Sequence, residues 1–344
     1  MKTKWIIGAV ALQVLVLAYL GGEREWVLRT GRTIYLRTIP VDPRDVMRGD
    51  YVRVAYEMSS VSRAQCRGRL ADRNQAFSAL PPDTRVYARL RVGEDEVAEF
   101  ESLSAERPAE GVFLRGRTQR SWNQQLDVRY GLEALFVQQG QGRPLEPSWE
   151  PEAVQVPLEM KVALSPDGIG VLNGYRRSAL GIGLRLEKEA DTGSSAERQL
   201  RTIGATVELK NVSSNAVAIV DLPGGRSLDL MVDPWRSAEN WRWVHEAETP
   251  MTPAPDHVVV LKPGDSHLIK VDFQDAWWSV VKKEQGTASQ ARPMKLTELT
   301  REGLEFCLEY RSPERAACAR LPRSELIWHG RLRTRTVRLW SIND

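Results

Sequence analysis

Histidine and cysteine are scarce in this chain, at four and three residues of 344. The histidines, His245, His257, His267 and His329, fall in no His-Glu-x-x-His or comparable ligand spacing, so a dedicated metal site is not expected. There is no Cys-x-x-Cys pair, no phosphate-binding loop, no Gly-x-Gly-x-x-Gly opening a helix and no Gly-x-Ser-x-Gly elbow. Gly264-Asp265-Ser266, followed by His267, comes nearest to a serine nucleophile, but it sits in a Lys-Pro-Gly-Asp turn between strands. No catalytic set, metal or cofactor is therefore expected. Lysine is scarce too, ten of 48 basic residues, and 45 acidic residues leave a formal charge of only +3. That balance lacks the dense basic face of nucleic-acid binders, so nucleic acid is not expected as a partner.

What the chain does have is enough apolar residue, 42%, to build real cores, and a length that suggests about two domains. Lys2 and Lys4 precede an apolar run from Trp5 to Leu20, broken only by Gln13 and followed by Gly21 and Gly22. As a helix this run spans about 24–27 Å, within the working range for crossing a bilayer. A cleaved signal peptide is the rival reading, but it needs a shorter apolar stretch and small residues at the cleavage site. The run instead ends Ala18-Tyr19-Leu20, and no cysteine follows it to permit lipoprotein processing. A buried helix of a soluble protein is the third reading. The lysines favour a cytoplasmic N-terminus and an exported body, although Arg24, Arg29 and Arg32 follow the run among Glu23 and Glu25. We expect a retained single-pass anchor over residues 1–22, meeting lipid through residues 5–20.

The body reads as mainly β. Short alternating runs (32–37, 51–56, 85–92, 112–118, 128–137 and 154–164) are separated by Gly, Pro and Asp, which predicts antiparallel strands. Residues 63–80 are the best helical stretch of this half, ending at Pro81-Pro82. The polar segment 187–202, with Gly193-Ser194-Ser195, reads as a linker. Beyond it, runs at 204–210, 216–221, 228–232, 258–261, 266–273 and 337–340 suggest an immunoglobulin-like sandwich. The expected organisation is an anchor (1–22), a β domain (24–186), a linker (187–202) and a sandwich domain (203–344).

Pro40-Val41-Asp42-Pro43-Arg44-Asp45 leads into Arg48-Gly49-Asp50-Tyr51-Val52-Arg53-Val54-Ala55-Tyr56, and Tyr130-Gly131-Leu132-Glu133-Ala134-Leu135-Phe136 follows later. This pattern resembles the GDYXXLXY family, with Val54 in place of the leucine, over roughly residues 24–180. The resemblance implies a bacterial protein anchored in the inner membrane, with a periplasmic body and an integral membrane protein or complex as its partner. It carries over no catalytic residues. Asp42, Arg44, Gly49, Asp50, Tyr51 and Tyr56 form the candidate motif loop. One reading is a turn in which Asp42 and Asp45 satisfy backbone amides. The other is an acidic site built from Asp42, Asp45, Asp50 and Glu133.

Two further features stand out in the second half. Residues 304–310 and 316–321 read as a hairpin that places Cys307 opposite Cys318, so a disulfide is a candidate in an oxidising compartment; two buried thiols are the alternative. Cys66 has no partner nearby in sequence. Seven of eleven tryptophans also lie there, and Trp235, Arg236, Trp241, Arg242 and Trp243 cluster in one loop-like segment, the candidate interface. Core packing and sugar binding are the competing readings. The function expected is non-catalytic binding or scaffolding, as an accessory subunit of a membrane complex. The alternative is an envelope hydrolase or glycan-processing enzyme using carboxylates such as Asp50 and Glu133.

Overall fold

The computed structural model describes residues 2–39, 51–72, 77–93, 96–119, 125–136, 150, 152–190, 200–232, 241–245, 251–282, 292–299 and 304–339. Strands take 48% of these residues, about twice the usual share, so the chain is mainly β as its alternation predicts. It opens with one helix, α1 (Lys2–Thr30). Among the described residues α1 is the one helix long and apolar enough to cross a membrane. Its side chains from Trp5 to Tyr19 are exposed, and only Val27 near its end is buried. The chain then divides into two units, Met1–Glu146 with Leu158–Arg176, and Pro147–Pro157 with Arg177–Asp344.

The first unit carries β1 (Arg32–Ile39), β2 (Tyr51–Arg53), β3 (Ala55–Tyr56), β4 (Ser60–Ser62), β5 (Arg85–Val92) and β6 (Val97–Ser104). It continues with β7 (Val112–Thr118), β8 (Gln125–Arg129), β9 (Ala134–Phe136), β10 (Leu158–Leu164) and β11 (Gly170–Arg177). Its main sheet has the order β11-β10-β1-β6-β5-β7-β8-β4, with β3 also paired to β1, while β2 and β9 form a separate ladder. β1 and β6 run parallel; β1 with β10, β1 with β3, β2 with β9, β4 with β8, β5 with β6, β5 with β7 and β7 with β8 run antiparallel. Alternation sets which face is buried. On β5, Val86, Ala88 and Leu90 point inward while Arg85, Arg89 and Arg91 face water. Ile34, Leu36, Leu114, Leu126 and Met160 join them in one core.

The second unit carries β12 (Leu180–Ala190), β13 (Leu200–Asn211), β14 (Val217–Val220), β15 (Leu228–Val232), β16 (Trp241–Trp243) and β17 (Val258–Leu261). Then follow β18 (Ser266–Asp272), β19 (Ser279–Lys282), β20 (Met294–Lys295), β21 (Glu305–Arg311), α2 (Arg315–Cys318), β22 (Arg331–Arg333) and β23 (Val337–Arg338). They pair as β12-β13-β18, β14-β17, β16-β19-β20 and β15-β21-β22, with β23 also on β21. Ile182 of β12, Val207 of β13, Ile269 of β18, Leu230 of β15 and Leu308 of β21 share one core cluster. Tyr310, wholly buried, ties β21 to β14: its hydroxyl donates to the Val220 carbonyl at 3.2 Å and accepts the Val220 N–H at 3.0 Å.

The structure departs from the expected local organisation in four places. Residues 63–80 form short 3-10 turns, Arg63–Gln65, Gly68–Ala71 and Phe77–Ala79, because Cys66 and Arg67 take extended conformations that interrupt any helix. The 187–202 segment is not a free linker where it is described. Lys188 pairs with Thr202, and Ala190 with Leu200, so these residues belong to the β12–β13 ladder, with Glu187, Lys188 and Glu189 exposed and Thr202 buried; 191–199 lie outside the described residues. The division between units falls near Arg176 and Arg177 instead of residue 186, since β12 belongs with β13. Finally, residues 315–318 wind into α2 where a strand was expected.

Candidate functional site

The two stretches that carry the family pattern meet in the first unit. β2 pairs with β9, placing Tyr51 opposite Phe136, Val52 opposite Leu135 and Arg53 opposite Ala134. At Val54 the strand breaks. Its N–H donates to the Glu133 carbonyl at 3.0 Å, and its side chain enters the core, which is the physical reason for an apolar residue at this place in the pattern. The chain resumes as β3, with Tyr56 opposite Thr38 of β1.

Two tyrosines then cross-link the stretches. Tyr56, 1% exposed, donates its hydroxyl hydrogen to the Leu132 carbonyl at 2.7 Å. Tyr130 donates to the Met58 carbonyl at 3.0 Å. The Tyr130 ring lies against the backbone of Gly116 on β7, where a Cβ would fall 2.7 Å from the ring, so only glycine fits. Burial raises both hydroxyls well above the ordinary phenol range, with the nearby Glu133 carboxylate adding to the shift. Both therefore remain protonated donors.

Glu133 anchors the turn between them. Its two carboxylate oxygens accept the N–H groups of Tyr130, at 2.5 Å, and Gly131, at 2.9 Å. Gly131 holds φ at +78°, a conformation that side chains avoid, which is what aims the two successive amides at one carboxylate. Chemically the arrangement is a charge-assisted turn lock. Asp42, Asp45, Arg44, Gly49 and Asp50, the remainder of the proposed motif loop and acidic site, lie outside the described residues. Among the described residues no group of three or more His, Cys, Asp or Glu is placed to hold a metal ion.

The tryptophan cluster of the second unit is not a loop where it is described. Trp241 and Trp243 are each 5% exposed, on the inward side of β16, while Arg242 between them faces water. The Trp243 indole N–H donates to the Trp277 carbonyl at 2.8 Å, and the two rings meet edge-on at 5.2 Å. The period of two in Trp-Arg-Trp was the available signal, but three residues are too few to read it against a loop. Trp235 and Arg236 lie outside the described residues. Trp277 and Trp278 occupy a 3-10 turn whose start is capped by Asp275; Trp278 is wholly buried.

The register behind a Cys307–Cys318 bridge is not the one adopted. Cys307 stands opposite Met231 on β15, and Cys318 is buried in α2 with its sulfur 3.9 Å from the Pro313 carbonyl. Ser266 and His267 are adjacent on β18 and separate accordingly: Ser266 donates to Glu208, while His267 Nε2 lies 2.7 Å from Asp221.

Carboxylate–arginine networks on the sheets escaped the sequence reading. Glu159 of β10, almost fully buried, is held by Arg37 at 3.0 Å and Arg176 at 2.7 Å, and Arg176 covers the Tyr35 ring at 3.6 Å. On β21, Glu309 is met by Arg333 and Arg331 of β22, and Arg311 meets Asp229 of β15 at 2.9 Å. Burial raises the Asp229 carboxyl against the opposing pull of Arg311. These pairs join residues far apart in sequence, and only the sheet register brings them together.

The first unit is thus a β unit entered directly from an apolar helix and closed by two tyrosine-to-backbone bonds. A family model described as GDYXXLXY protein matches residues 13–174, from within α1 into β11. No curated protein and no solved structure matches the chain.

Proposed function

We propose that the chain is a non-catalytic accessory subunit of an integral membrane complex, held at the bacterial inner membrane by α1 with its body in the periplasm. The observation that carries this reading is α1 itself, an exposed apolar helix that leads into a β unit matched by the GDYXXLXY family model. The second unit is read as an immunoglobulin-like sandwich, a frame suited to binding partners through its loops. Support for that comes from its two three-stranded orders, β12-β13-β18 and β15-β21-β22, whose inner faces share one core. Against the alternative of a carboxylate-based hydrolase stands Glu133, whose two oxygens serve backbone amides.

The test is extraction of the tagged full-length chain in mild detergent after brief crosslinking in cells. A polytopic membrane protein should co-elute at fixed stoichiometry and persist when α1 is replaced by an unrelated anchor. Elution of the chain alone, with turnover of glycan or ester substrates that Glu133→Gln abolishes, would favour the hydrolase.

A further inference from the structure

We propose that residues 25–30 form a rigid post seated in the lipid headgroup layer, with Trp26 as its interfacial anchor, so that the first unit rides directly on the membrane surface. This rests on the reading of α1 as a spanning helix and adds a height to it. Trp5 and Trp26 are both strongly exposed, at 79% and 70%. They stand 21 residues apart on one helix, about 32 Å along its axis, close to the ~30 Å thickness of a hydrocarbon core. Indole rings prefer the two bilayer interfaces, where an apolar ring body meets wet headgroups. Laying Trp5 at the inner edge of the hydrocarbon puts the outer edge near Glu25, Trp26 about 1.5 Å beyond it, and Thr30 about 7.5 Å beyond it. Headgroups occupy roughly the first 5–8 Å of that distance.

Nothing flexible intervenes between this segment and the body. α1 is unbroken to Thr30, whose hydroxyl donates to the Trp26 carbonyl at 2.8 Å. The N–H of Gly31 closes on the Val27 carbonyl at 2.8 Å, and Val27 is buried, 4% exposed. Arg32, the next residue, already pairs with Leu164 in the main sheet. Arg29, bound to Glu25 at 2.7 Å, lies on exposed helix surface at phosphate depth, and Arg24, exposed at the hydrocarbon edge, has a side chain long enough to reach the phosphates.

The test uses the full-length chain in nanodiscs of phosphatidylcholine and phosphatidylglycerol. Nitroxide labels are placed at Val14→Cys, Glu23→Cys or Arg32→Cys in a Cys307→Ser background, since Cys66 and Cys318 are buried. Depth is read from accessibility to oxygen and to a water-soluble nickel chelate. The expected result is a Val14 label in mid-hydrocarbon, a Glu23 label just inside the boundary between hydrocarbon and headgroups, and an Arg32 label several-fold less accessible to the chelate than free nitroxide. Trp26→Ser should move the Glu23 label. A Val14 label in hydrocarbon with the Glu23 and Arg32 labels as accessible as free nitroxide would overturn this inference while leaving the anchor intact. A Val14 label outside hydrocarbon would overturn the anchor reading and this one with it.

Discussion

The Tyr56 hydroxyl bonds to the Leu132 carbonyl, and the Tyr130 hydroxyl returns the exchange to the Met58 carbonyl. Each tyrosine thus reaches into the turn that follows the other's strand. Two stretches more than seventy residues apart are closed as one unit, and the spacing of tyrosines in both follows from that geometry.

Removing either hydroxyl leaves a buried carbonyl without its donor, which costs about 1–3 kcal/mol. Tyr56→Phe and Tyr130→Phe should each lower the stability of the first unit by that amount, read from urea unfolding of the detergent-solubilised chain. Hydrogen exchange of the β2 and β9 amides should accelerate with it. The double variant should fall short of the sum, because both bonds fasten the same pair of turns. Strict additivity would mean the two bonds act independently.

Glu133 offers a sharper test of role. Glu133→Gln keeps one acceptor oxygen but exchanges the other for a donor facing a donor, and it removes the charge. We expect a loss of about 1–3 kcal/mol, as for breaking a charge-assisted backbone bond. A catalytic carboxylate behaves differently: its amide variant loses turnover while stability holds or rises. Unchanged thermal and urea midpoints in Glu133→Gln would sink the turn-lock reading.

Alkali should unfold the body by a calculable route. Burial pushes the Cys66 thiol up to about 11 from its ordinary 9.0. The unfolded thiol releases its proton first, so this contribution to stability is complete below about pH 9 and is lost as pH rises to about 11. Each such group adds at most about 1.4 kcal/mol per pH unit to the slope. Tyr56, Tyr130 and Tyr310 are raised from 10.0 in the same sense and steepen the loss above it. Urea midpoints measured from pH 8 to 11 should fall, and Cys66→Ala should flatten the fall between 9 and 11. An identical slope in the variant would remove Cys66 from the account.

Long alternating runs were legible from the amino acids alone: 85–92 and 112–118 coincide with β5 and β7, and 228–232 and 258–261 with β15 and β17. β5 buries alternate residues on its core, so local period and tertiary demand agree, whereas the continuous apolar run of β17 packs Val259 and Leu261 on one cluster and Val258 and Val260 on another. β6, with Glu99 and Glu101 among its outward residues, and β11, with no fully buried residue, carry too weak an alternation to stand out. The motif was visible as a string, but the tyrosine exchange was not, because hydroxyl-to-carbonyl bonds between residues 56 and 132 leave no local trace. The cysteine register failed for a related reason. Ala316-Ala317-Cys318 is short and apolar enough for either strand or helix, and the helix is favoured where the Ala317 and Cys318 N–H groups both close on the Glu314 carbonyl.

Trp241 and Arg242 separate a core role from an interface role within two adjacent residues. The indole of Trp241 is buried in the second unit's core and lies under Lys282, 5.6 Å from its ring centroid. Truncating a buried tryptophan removes its transfer free energy and leaves a cavity, together about 3–5 kcal/mol. Trp241→Ala should therefore drop the melting temperature of the second unit by many degrees, and Trp243→Ala should do the same while also losing the bond to the Trp277 carbonyl. Arg242 points to water from the middle of the same strand, so Arg242→Ala should change stability by no more than about 0.5 kcal/mol. The measurement is a calorimetric scan of the full-length chain in detergent for all three variants. A small shift for Trp241→Ala, with weakened association to membrane partners in both Trp241→Ala and Arg242→Ala, would return these residues to an interface. A large shift for the tryptophans alone leaves Arg242 as the only side chain of β16 available to a partner.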